Sequence, residues 1–190
     1  MLGGLFIAMT VFLSILWPIS PRLRERVTSL LEEVRIYQTT SALTSAGERL
    51  EFWRKSGLII AEAPILGHGT GSIQQQFRQS AAGQTGIAEL VTADPHNQIF
   101  ATAIQLGSIG TILLLAMWFV HLRFFWASGL PAGIGLAVVV QNIVSSQFNS
   151  SLFDSTHGWT YVFGVGVLSG MTLRASSPAV ACQSPFIKMR

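Results

Sequence analysis

This chain is poor in charge. Asp, Glu, Lys and Arg make up 11% of its 190 residues, against roughly a quarter in soluble domains. Hydrophobic residues make up 49% and the mean hydropathy is +0.49. These values exclude an ordinary soluble domain and point to an all-α, polytopic membrane protein. The single cysteine, Cys182, excludes a disulfide framework or a Cys-based metal site within one chain. The pI of about 9.6 is no argument for nucleic acid, because the net charge is only +3 and the basic residues form no run. Residues 2–19 are apolar but have neither a basic start nor a small-x-small cleavage site. They read as a short membrane helix with Trp17 at the interface, not as a signal peptide.

From Pro95 to Leu122 there is no charged residue at all. At ~1.5 Å per residue this run exceeds the ~30 Å hydrocarbon core, so it predicts a spanning helix with a turn or more above the membrane. Asp94 suits the N-cap and Pro95 the first helical position. His96 and Asn97 then fall in the first turn, where free N–H groups and the helix dipole could receive an anionic group and favour a neutral imidazole. Further spans fit residues 129–147 and 159–173, about four in all with 2–19. Gly164, Gly166 and Gly170 suit close helix packing.

Charge is gathered in residues 20–96; outside it stand only Arg123, Asp154, Arg174, Lys188 and Arg190. One near-neutral aqueous segment thus interrupts a membrane-bound chain. By the positive-inside rule Arg123, Arg174, Lys188 and Arg190 are cytoplasmic. The long segment and the 147–158 connection then share the outer face, which puts His96, Asp154 and His157 on one side. Ser20-Pro21-Arg22 starts a helix whose Val27, Leu30, Leu31 and Val34 suit either the membrane surface or packing on neighbours. A second helix, 46–63, puts Arg49 and Trp53 on one face; an ion pair with Glu48 or Glu51 is the plain alternative for Arg49. Gly67, Gly69 and Gly71 allow a tight turn with amides aimed at a ligand, although a helix–helix turn is the preferred reading; no Lys follows at the P-loop position. Residues 73–80 read as a short helix, 81–93 as a mobile polar loop and the C-terminal remainder as a disordered tail. No carboxylate pair shows glycosidase logic, and His68 and His157 read as ordinary loop polarity.

Three blocks carry a resemblance. The first is Gly47-Glu48-Arg49-Leu50 with Trp53, followed by Pro64-Ile65-Leu66-Gly67-His68-Gly69. The second, His96-Asn97 with Gly107-x-x-Gly110 after nine residues, is the most specific. The third and weakest is Asn149-Ser150 with Asp154. With these the chain resembles the C-terminal part of the O-antigen ligase and O-antigen polymerase superfamily, over roughly residues 20–170. The resemblance implies part of a class C glycosyltransferase fold in the bacterial inner membrane. Residues 1–19 would be a transmembrane helix, 20–95 a periplasmic helical loop, 96–173 three transmembrane helices and 174–190 a cytoplasmic tail. It implies an inverting transfer, without metal or cofactor, of a glycan from undecaprenyl pyrophosphate to lipid A-core. A polymerase adding to another glycan, a protein oligosaccharyltransferase and a non-catalytic membrane fragment are the alternatives. His96 would act as base and Arg49 would face the pyrophosphate. Arg22, Arg24 or Arg26 would supply a second arginine, and Asn97, Trp53 and Asp154 would line the substrate site.

Overall fold

The computed structural model describes residues 17–40, 42–127 and 129–176. Most of the expected first span, together with Cys182 and the tail, lies outside them. The described elements are helices, as the composition implies.

Helix α1 (Pro21–Thr40) is capped by Ser20, whose Oγ accepts from Leu23 N at 3.3 Å. Helix α2 (Ser45–Glu62) is capped by Thr44, which accepts from Gly47 N at 3.0 Å. The two are pinned by polar contacts. Ala46 N donates to Glu33 Oε2 and Tyr37 OH to Glu51 Oε2, both at 2.9 Å. Arg54 grips both Glu51 oxygens, at 2.9 and 2.6 Å. So Glu51 pairs with Arg54 and Tyr37 and leaves Arg49 alone. Burial opposes the Glu51 charge, but the bonds from Arg54 and Tyr37 outweigh it and hold the carboxyl below its ordinary 4.5. A depressed carboxyl pKa gives stability that is present above the unfolded value and lost as pH falls through the folded one. Hydrogen exchange in α1 is therefore expected to quicken as pH drops below about 4.5, once corrected for intrinsic exchange. Glu51→Gln should remove that pH dependence; if it persists unchanged, the clamp is not its source.

Helix α3 (Ile73–Ala81) buries Ile73 and Phe77 against Phe52 and Ile59 of α2 and against Ala101 and Ile104 further on. Each such side chain contributes about 1.5–3 kcal/mol. The following loop, 82–93, holds a 3-10 turn, Gly86–Glu89, and is hydrogen-bonded to α2. Lys55 of α2 is fully buried and its Nζ donates to the carbonyls of Ala88 (2.5 Å) and Leu90 (2.8 Å). Burial lowers the Lys55 pKa, and the Glu51 charge opposes that shift.

Helix α4 (Gln98–Phe125) departs from expectation twice. It starts at Gln98, so Asp94 is not its cap and His96 and Asn97 do not lie in its first turn. Asn97 is the N-cap: its Oδ1 accepts from Ile99 N at 2.9 Å and Phe100 N at 3.1 Å. The helix is also not one rod. Gly107 has φ 62° and ψ −157°. An unbroken helix would hold Gln98 about 30 Å from Trp118. Yet both meet the last turn of the next helix: Gln98 N donates to Ser146 O, and Trp118 Nε1 to Asn142 Oδ1. Ile99 also packs against the cluster that contains Leu114 and Trp118. The chain therefore reverses at Gly107, and arm 98–106 folds back along arm 108–125. Gly110 makes room for this, because a Cβ there would strike the Leu106 side chain.

The loop after α2 locks the reversal. His68 N and Gly69 N donate to the Ile104 and Gln105 carbonyls at 2.8 and 2.9 Å; Ser108 N and Ile109 N donate to the Pro64 and Ile65 carbonyls at 2.8 and 3.4 Å. Gly71 N reaches Gln105 Oε1 at 2.6 Å. The amides of the glycine turn are thus spent on the protein itself, as the helix–helix reading expects. His68 Nε2 lies 2.8 Å from Ile59 O and fastens the loop to α2.

Helices α5 (Leu130–Ser145) and α6 (Ser155–Ser176) complete an antiparallel bundle with the second arm of α4. Helix α6 starts four residues before the expected span and ends three after it. The bundle core joins Leu114, Trp118, Phe125, Val139, Tyr161 and Val165. Gly135 admits the Phe125 ring and Gly164 approaches Val138; Gly166 and Gly170 meet nothing within 4 Å. Outward stand Ile112, Leu113, Phe119, Val140, Val162 and Phe163. Taken whole, Gln98–Phe125 is the helix among the described residues long and apolar enough to cross a membrane; Leu130–Ser145 is a shorter apolar helix. After the reversal, Ser108–Phe125 still rises about 27 Å, close to a bilayer core.

Candidate functional site

Three segments distant in sequence meet where α4 begins. The first is Asp94-Pro95-His96. Asp94 Oδ1 accepts from His96 N at 2.8 Å, closing a tight Asx turn. His96 is pushed to φ 55°, and it is the one non-glycine residue with positive φ among the described residues. That region is sparsely used by residues other than Gly, Asn and Asp, so it is kept only where the surroundings enforce it.

The α5–α6 connection supplies the enforcement. Ser150 Oγ donates to Asp94 Oδ1 at 2.6 Å. Asn149 Oδ1 lies 3.3 Å from His96 Nδ1, and Asp94 Oδ2 lies 3.8 Å from it. Asn97 Nδ2 donates to Gln147 O at 3.1 Å, and Leu152 N donates to Gln98 Oε1 at 2.8 Å. The His96 imidazole thus has Nδ1 facing two oxygens, while its side chain stays 34% exposed.

Helix α2 forms the third wall. The Phe52 ring lies 6.1 Å from the His96 ring, and the Trp53 ring 6.1 Å from Phe100. The Trp53 indole N–H is buried and has no hydrogen-bond partner among the described residues. Arg49 stands one turn before both rings (i,i+3 and i,i+4), so it shares their side of the helix. It is exposed and makes no ion pair or side-chain hydrogen bond among the described residues.

The other sequence candidates are placed differently. Asp154 is exposed and binds His157 through both backbone N and Nδ1, at 2.9 Å each. Those bonds hold its carboxyl below the usual range. It directly precedes α6, makes no hydrogen bond or ion pair with His96, and lines a largely apolar groove of about 610 Å³ with Met117, His121 and Trp159. Arg22, Arg24 and Arg26 are exposed on the first two turns of α1, with no acid paired to them among the described residues. Asn97 has both ends of its amide occupied by the cap and Gln147. Among the described residues no three His, Cys, Asp or Glu side chains gather as a metal site. The residues that sequence reasoning missed are Asp94 as His96's backbone anchor and Ser150 as the anchor of Asp94. The two-residue spacing in Asp-Pro-His is the local signal for the first; nothing local signals the second.

Two comparisons bear on this geometry. Residues 1–115 match a family model described as O-antigen ligase. A protein of Haemophilus influenzae, described as an uncharacterized protein, is 29% identical over 83 residues, 43% of this chain. That stretch is 21% of the relative's own length. The family match takes in Arg49, the Pro64–Gly69 loop, His96 and the Gly107 reversal, and it ends before Asn149. Covering more than half of the chain, it shows that the protein belongs to the O-antigen ligase family.

Proposed function

We propose that the chain carries the catalytic end of a membrane glycosyltransferase that moves a glycan from undecaprenyl pyrophosphate to lipid A-core. The observation that carries this reading is the convergence on the His96 turn of residues spread from Phe52 to Ser150, with Arg49 one turn before Phe52 on α2. In the proposed step an acceptor hydroxyl attacks C1 of the lipid-linked sugar from the face opposite the leaving group. The C1–O bond to phosphate breaks, and its electron pair leaves with the pyrophosphate. His96 takes the hydroxyl proton at Nε2. Asn149 Oδ1 and Asp94 Oδ2 favour the N–H on Nδ1, which leaves Nε2 with its lone pair. Arg49, unpaired and beside the aromatic wall, meets the developing pyrophosphate charge; guanidinium suits bidentate phosphate contact. Neither role calls for a metal. The His96 turn and the 20–95 segment would face the periplasm, and four spans would cross the inner membrane.

The test is complementation, with the full gene product, of a strain lacking it. Arg49→Ala is expected to cut transfer at least 100-fold at unchanged membrane level, with glycan accumulating on the undecaprenyl carrier. Arg49→Lys should recover only part, since it keeps charge but not the fork. Single capped units on lipid A-core in the null strain would assign the polymerase reaction instead. Unchanged glycans in every variant would leave a non-catalytic membrane protein.

A further inference from the structure

We infer that α1 lies in the plane of the membrane surface and binds anionic lipid headgroups. At about 100° per residue, Leu23, Val27, Leu30, Leu31 and Val34 fall in one sector roughly 100° wide. Arg24 and Arg35 flank that sector on one edge and Arg26 on the other, with Arg22 further round on the same side as Arg26. Glu25 and Glu32 project from the opposite side. Glu33 is the acid that breaks the pattern, and its carboxylate is turned to α2, accepting from Ala46 N at 2.9 Å.

This segregation is specific. A solvated helix spreads its arginines and acids so that they pair; here no residue of α1 ion-pairs with another among the described residues. Apolar residues flanked by arginines, with acids on the far side, suit a bilayer surface: the stripe enters the acyl boundary and the guanidinium groups reach phosphates beside it. Among the described residues the stripe is only partly covered: no residue of α1 is buried, Leu23, Val27 and Val34 are half-buried, and Leu30 and Leu31 are 52% and 64% exposed. Contact with α2 is made through Glu33 and Tyr37, at the edge of the stripe in the second half of the helix. The helix also begins directly after the apolar stretch that ends at Trp17-Pro18, so its first turn starts at the interface. Anionic headgroups attract guanidinium groups beside an apolar stripe, so the lipid charge should set how firmly the stripe is held.

The test uses the full chain with Cys182→Ser and one environment-sensitive fluorophore on Val27→Cys, Leu31→Cys, Glu25→Cys or Glu32→Cys. Each is reconstituted in vesicles of phosphatidylethanolamine and phosphatidylglycerol, and separately in vesicles with phosphatidylcholine in place of phosphatidylglycerol. Probes at 27 and 31 should be quenched at least threefold more by brominated lipid than probes at 25 and 32, and the reverse should hold for aqueous iodide. Replacing Arg22, Arg24, Arg26 and Arg35 with Gln should remove the excess lipid quenching seen with phosphatidylglycerol. Equal iodide quenching at all four sites would show a solvated helix. Shielding of 27 and 31 from both quenchers would show a protein partner, whether another part of the chain or a second copy. Either result overturns the inference, as does equal lipid quenching in the two vesicle types. Transfer activity is not the readout, so the outcome is separable from the proposed reaction.

Discussion

His96→Asn should abolish glycan transfer while leaving the protein folded. Asn tolerates the left-handed backbone that His96 occupies at φ 55°. Its N–H can still donate to Asp94, so the Asx turn survives. What is lost is a basic nitrogen within reach of the acceptor hydroxyl. General bases are worth about 100- to 10,000-fold, so transfer should fall by at least 100-fold. The measurement is the ratio of lipid-linked to transferred glycan, with thermal melting in detergent as the control. Asn149→Ala should act more mildly. It removes one Nδ1 contact, so transfer should fall by less than in His96→Asn, with melting unchanged. If His96→Asn transfers glycan at the wild-type rate, His96 is not the base and the proposed step fails.

Gly107→Val should unfold the part of the molecule built on α2, α3 and loop 64–69. Two costs coincide there. A β-branched residue at φ 62° is strained by about 1–3 kcal/mol. Its Cβ would also run into the Ile65 carbonyl, a backbone atom that cannot swing aside. The four backbone bonds between loop 64–69 and the Gly107 reversal would part with it. A loss of at least about 3 kcal/mol is expected, read as a lowered melting temperature and exposure of the α2–α3 core to protease. Gly67→Ala should behave similarly: its φ is 69°, and a Cβ would lie 2.5 Å from the Gln105 carbonyl carbon. Gly166→Ala, with nothing within 4 Å, is the matched control and should change melting little. Wild-type melting of Gly107→Val would mean that the chain does not turn back at this residue.

These cases show what the sequence discloses and what it conceals. The helices lie close to their expected ranges, because signals such as Ser20-Pro21 and apolar spacing act through neighbours in the chain. The start of α4 was harder. Asp94 and Asn97 are both good caps, and the choice falls to Asn97 because Ser150 engages Asp94 from a distant loop. Gly107 lies inside an uncharged run read as one spanning helix; its reversal is set by loop 64–69, whose carbonyls receive Ser108 and Ile109. Nothing local marks Lys55 for burial, which depends on the Ala88 and Leu90 carbonyls coming to it. The meeting of Asn149 with His96 is of the same kind: side chains more than fifty residues apart carry no local signature of each other.

The reversal at Gly107 also bears on how the chain is made. An insertion machine that weighs apolarity meets an uncharged run from Pro95 to Leu122 and has reason to thread all of it into lipid. Arm 98–106 would then leave the peptide groups around Gly107 without partners in hydrocarbon, at several kcal/mol each. The groups that accept and donate at the break belong to residues 64–69, synthesised some forty residues earlier. Translation order therefore delivers the template before the segment it shapes, and in a membrane the loop would act as a stop on how deep the arm goes. A chain whose loop 64–69 is replaced by a flexible linker should leave the arm free to slide inward. A reporter at Gln98 would then lose its access to aqueous reagents, although no residue of the arm itself had changed.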